Sequence, residues 1–109
     1  MTNNSLVLTV AGITFAVTTP SADWAADLTD RYGPFLSTAR PDWCIELRHE
    51  PDIDAGAPPW VIHDEQATRF SVGVIAGAID LTGRRAEVAT SAPGYGGSAV
   101  DRAISFILM

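Results

Sequence analysis

The 109-residue chain contains no lysine, one cysteine, two histidines and no long apolar run, and each shortage removes a class of chemistry. Without lysine there is no Schiff-base amine, no P-loop lysine to reach nucleotide phosphates and no Ser–Lys dyad. A lone cysteine, Cys44, closes no internal disulfide, which fits a reducing cytoplasm, and it reads as a buried structural thiol. No stretch reaches the roughly 18 apolar residues of a transmembrane helix, and no basic segment leads into an apolar one at the start, so neither a span nor a secretory signal is expected. Cations are also scarce: seven arginines face thirteen acids, for a formal net charge of −6. That balance repels phosphate backbones and anionic lipid, so neither nucleic acid nor membrane is expected as a partner. Arginine used without lysine, alongside much Ala, Gly and Pro, is a composition of GC-rich bacterial genomes.

What is present is enough for one core. Apolar residues make up 47% of the chain, and residues 1–109 fit a single domain. "SLVLTVAGITFAVTTP" alternates around Ala11-Gly12, as a β-hairpin does. Thr19 or Ser21 then stands where a helix cap is wanted, and Trp24, Leu28 and Tyr32 recur at helical spacing up to the breaker Gly33-Pro34. "DWCIELRHE" alternates again, with Trp43, Ile45 and Leu47 on one face and Cys44, Glu46 and Arg48 on the other. "PDIDAGAPP" is a loop, and it is followed by four short strand-like runs: "WVIHDE", "TRFSVGV", "IAGAIDLT" and "RRAEVATS". A last helix is expected from Ser98, carrying Val100, Ala103, Ile104, Ile107 and Leu108, with Ser98 and Asp101 spaced like a capping box. The order ββαβββββα predicts an α+β domain: a largely antiparallel sheet of about six or seven strands with two helices on one face.

The glycine-rich turn "APGYGGSAV" opens that last helix. It lacks the lysine of a phosphate-binding loop and the spacing of a dinucleotide fingerprint, so it reads as a turn that lets the helix fold back onto the sheet. Asp52, Asp54 and Gly56 resemble a fragment of a calcium loop, but the twelfth position is His63 where a bidentate glutamate is needed. Cys44 and His49 lie five apart on one strand and so on opposite faces. No catalytic, cofactor-binding or metal-binding residue is assigned on these grounds. Trp24, Trp43, Phe15 and Phe70 fall on apolar faces and read as core, whereas Trp60, after Pro58-Pro59, is a candidate contact residue for a partner. Ile104, Ile107 and Leu108, on the apolar face of the last helix that runs into the bare tail Phe106–Met109, are further partner-contact candidates.

Several short motifs point to a family. Tyr32, Pro34 and Phe35 stand in a "Y-x-P-F" helix end, and Pro41, Asp42, Ile45 and Leu47 in a "P-D-x-x-[IV]-x-L" strand, ahead of the apolar helix "AVDRAISFIL". In this order the chain resembles the region N-terminal to the kinase domain in bacterial proteins related to HPr serine kinase/phosphorylase. The resemblance implies a non-catalytic accessory or recognition domain, with the P-loop lying beyond Met109. The expected activity is therefore protein–protein contact or self-association as a homodimer. A second reading is a small-ligand-binding regulatory protein with a pocket between the sheet and helix 21–32. A third is an enzyme built around His49, His63 and Asp64.

Overall fold

The computed structural model describes residues 4–108, arranged as β1 (Ser5–Val10), β2 (Ile13–Thr18), α1 (Ala22–Arg31), β3 (Trp43–His49), β4 (Trp60–His63), β5 (Ala67–Val72), β6 (Ile75–Asp80), β7 (Arg85–Thr90) and α2 (Gly96–Ile107). This is an α+β fold with the expected element order. All seven strands form one sheet in the order β1-β2-β3-β7-β6-β5-β4. Four of its pairings are antiparallel, while β2–β3 and β3–β7 are parallel. The parallel seam arises because residues 50–59 carry the chain past three strand positions to the far edge, from which it returns as a meander. That span is about 19 Å at the usual strand spacing, well within the reach of the loop.

Turn chemistry fixes the hairpins. Ala11 and Gly12 both take positive φ (53° and 82°), the arrangement of a two-residue turn that matches strand twist. Between β6 and β7 the Asp80 carboxylate accepts from the amides of Thr82 (3.1 Å) and Gly83 (3.0 Å), and Arg84 takes the left-handed position (φ 53°). Ser21 occupies the cap position of α1 without a side-chain cap bond. Thr19 instead donates its hydroxyl to the carbonyls of Asn4 and Ser21, tying the helix entry to β1.

The core lies between one sheet face and the two helices. Strand registers align Leu6, Val17, Ile45, Ala86, Ile79 and Thr68 in one row and Leu47, Val88, Gly77 and Phe70 in the next. Ala25, Leu28 and Tyr32 of the α1 region, and Ala99, Val100, Ala103 and Ile104 of α2, close over them. Each fully buried Leu, Ile or Phe here contributes about 1.5–3 kcal/mol relative to exposure. Phe70 lies over Gly77 and stacks on Phe106, with ring centroids 4.8 Å apart. No described helix is long and apolar enough to cross a membrane.

The start of α2 departs from expectation. The helix begins at Gly96, so Ser98 is inside it and no capping box forms. Asp101 turns instead to α1, where it pairs with the Arg31 guanidinium and accepts from the Tyr32 hydroxyl. Two glycines permit this approach. A Cβ on Gly96 would stand 2.9 Å from the Trp24 ring, and one on Gly97 would run into the Arg31 side chain. The glycines of "APGYGG" therefore serve helix-on-helix packing, a demand that a turn reading alone does not contain.

Candidate functional site

Among the described residues, the second face of the sheet has no helix over it. Alternation places Val7, Ala16, Cys44, Arg85, Asp80 and Ala67 in one row there. The next rows run Thr18, Glu46, Glu87, Ala78, Arg69 and Ile62, then Arg48, Ala89, Ala76, Ser71 and Trp60. Small residues form the floor, and a depression of about 500 Å³ opens over it, with Arg69, Asp80, Arg85 and Glu87 in its walls. Glu46 and Glu87 face each other across β3 and β7, a destabilising pairing of like charges. Arg48 relieves it, with Nε 2.9 Å from Glu46 and Nη2 3.4 Å from Glu87. The two carboxylates, Glu46 first, hold the Arg48 guanidinium above its ordinary pKa. Arg48, Arg69 and Arg85 balance Glu46, Glu87 and Asp80 on this face. The whole net charge of −6 is thus carried by the helical side, the loops and the strand ends.

Cys44 belongs to this bare face and is exposed, which corrects the expectation of a buried thiol. The physical reason is the parity of β3: Ile45 and Leu47 take the core side, which leaves Cys44 on the side without helices. His49 shares the core parity, but at the strand end it meets Trp24 (5.8 Å between ring centroids), and its Nε2 lies 3.2 Å from the Ser91 carbonyl. Cys44 and His49 therefore stand on opposite faces. Space between sheet and α1 is filled by Ala25, Leu28 and Tyr32, so the expected pocket beside helix 21–32 is packed core. Burial raises the Tyr32 phenol above its ordinary value, and its bond to the Asp101 carboxylate adds to the shift.

The most open apolar strand is β4. Trp60, Val61 and Ile62 are 46%, 43% and 59% exposed in succession. Trp60 and Ile62 point to the bare face, Val61 and His63 to the helical one. His63 Nδ1 lies 2.9 Å from Thr68 Oγ1, and its ring meets the edge of Phe106 at 6.1 Å, so the end of α2 touches this margin through Phe106. Asp64 follows at the turn, where the amides of Gln66 and Ala67 (both 2.8 Å) hold its carboxyl below the usual range. The Asp64 amide donates to the Ala67 carbonyl (2.9 Å). By the alternation of an antiparallel pair, Ile62 and Trp60 then bond inward to β5, while Val61 and His63 turn their N–H and C=O groups outward.

The opposite margin is different. Along β1, Ser37 donates to the Val7 carbonyl (2.9 Å) and Leu36 bridges Leu8, so the segment after α1 covers that edge.

Of the residues singled out from the sequence, Trp60 is exposed on β4 and Leu108 is 39% exposed at the end of α2. Ile107 is partly buried against the core, and Ile104 is 6% exposed within it. Ile104 faces its own sheet because α2 lies flat on β6 and β7, which corrects its reading as a contact residue. Met109 lies outside the described residues. Val61 and Ile62 escaped sequence reasoning because "WVIH" reads only as a short strand-like run; its shortness and the flanking Pro58-Pro59 and Asp64 were the available edge signals. Asp54 accepts from the Gly56 amide (3.0 Å) in an exposed loop. Among the described residues no group of three or more His, Cys, Asp or Glu is placed to hold a metal ion. No family model, no curated protein and no solved structure matches the chain.

Proposed function

We propose that this protein is a non-catalytic recognition domain that works by protein–protein contact, with β4 and the adjoining bare sheet face as its contact surface. The observation that carries the reading is the run Trp60-Val61-Ile62, three large apolar side chains exposed in succession on an uncovered edge. Isolated exposed apolar residues are ordinary, whereas a contiguous set beside unpaired backbone groups is a template for association. The similarity to the region preceding the kinase domain in HPr-kinase-like proteins agrees with an accessory role. Several residues that carry it are structural here: Tyr32 bonds Asp101, Asp42 accepts from the Thr14 amide (3.1 Å), and Ile45 and Leu47 are core.

A photo-crosslinking amino acid at position 62 tests the reading in the source cells. The expected result is discrete crosslinked products, absent when the same group is placed at exposed Thr29 on α1. Equal labelling at both positions, or none at 62, overturns it.

A further inference from the structure

Resting on that reading, we infer the kind of partner: an extended segment of another protein, apolar and net basic, that adds to β4 as an eighth strand. Three observations lead there. First, among the described residues the sheet has one covered margin and one free margin, and the free one presents the N–H and C=O groups of Val61 and His63 in register for a new strand. Second, both flanks of that margin offer apolar surface to alternating side chains of an added strand. Trp60 and Ile62 stand on the bare face, and Val61 with the His63–Phe106 pair on the helical face.

Third, charge and size favour a foreign strand over a second copy. β4 carries no Lys or Arg and runs into Asp64-Glu65; Arg69 of β5 stands opposite Ile62, in a chain of net charge −6. Pairing β4 with its own copy would bring two such acidic molecules together over four residues a side. A stable interface uses about 20–30 residues a side, so so small a contact leaves little to offset the repulsion. A short basic strand needs no large interface, because main-chain hydrogen bonds and a few side-chain contacts carry strand addition.

The test is selection of binders from a random peptide display library, on the wild-type protein and on Val61→Pro. Proline at 61 removes an outward N–H and leaves the bonds to β5 in place, so the variant should fold; unchanged circular dichroism and melting check this. Should it fail to fold, Ile62→Arg, which places a cation on the exposed flank and removes its apolar surface, takes its place. The expected result is enrichment of apolar peptides bearing Lys or Arg, with their binding lost on the variant and protection of the Val61 and His63 amides from exchange on the wild type. Enrichment of neutral or acidic peptides, binding that survives the variant, or no enrichment overturns the inference. Light scattering provides the other arm: a dimer mass that Val61→Pro reduces to 11.6 kDa would replace the foreign strand by a second copy and leave the contact role standing. Loss of the crosslink at position 62 would instead remove the contact role itself.

Discussion

The two faces of the sheet are built from the same seven strands, yet they are held by different physics. On the helical face, rows of Leu, Ile, Val and Phe are sealed by α1 and α2, and volume is decisive. On the bare face, alanines form the floor and balanced Arg and Glu or Asp side chains stand in solvent, so volume matters little and charge only slightly. A strand residue's contribution to stability is therefore set by its parity more than by its type. Ile62 and Ile79 show this: one is 59% exposed and the other 1%.

The sharpest way to break the comparison is to carve the core face. Phe70→Ala should cost about 3–5 kcal/mol in urea unfolding, because it leaves a cavity beneath Phe106 as well as losing transfer energy. Gly77→Ala should cost about 1–3 kcal/mol, since its Cβ would come within 2.7 Å of the Glu87 carbonyl oxygen and 2.9 Å of the Phe70 ring.

At the seam between α1 and α2, Tyr32→Phe should cost about 1–2 kcal/mol through its lost bond to Asp101. The pH dependence has a definite sign. Tyr32 titrates higher in the folded protein than its ordinary 10.0, so its contribution is complete below pH 10 and declines as pH rises above that toward the folded value. Melting profiles of the wild type should show this alkaline loss, and the Phe variant should lack that component.

On β4, Trp60→Ser and Ile62→Thr should change stability by no more than about 0.5 kcal/mol while raising the solubility limit. A large loss would mean that β4 is part of the core in spite of its exposure. The smallest effect is expected at Arg48→Gln, which leaves Glu46 facing Glu87 without a cation: a slight fall in melting temperature at low salt that disappears in concentrated salt.

Much of the architecture was legible in local patterns. Alternation gave the face assignments of Leu6, Phe15, Ile45 and Cys44, helical spacing found α1 within a residue, and Ala11-Gly12 announced its hairpin. Features that depend on distant partners were not legible. The parallel β3–β7 pairing follows from a loop that crosses the sheet, and nothing within "DWCIELR" or "RRAEVAT" indicates it. Asp101 looked like a cap because its true partners, Arg31 and Tyr32, lie about 70 positions earlier. The candidate site was half visible. Trp60 stood out beside its prolines, but the exposure of Val61 and Ile62 depends on strand order, which places β4 at a margin that the helices barely reach.

The parallel seam at β3–β7 has a kinetic consequence. It joins an N-terminal unit, β1 to β3 with α1, to a C-terminal meander, β4 to β7 with α2. Closing the seam first requires the loop entropy of a chain excursion from residue 50 to residue 84, a penalty that slows folding without lowering final stability in proportion. Two half-formed pieces meeting late along one line of hydrogen bonds would leave both central strands open in the interval. A chain cleaved within residues 50–59 should then reassemble from its two fragments, at a rate that rises with their concentration.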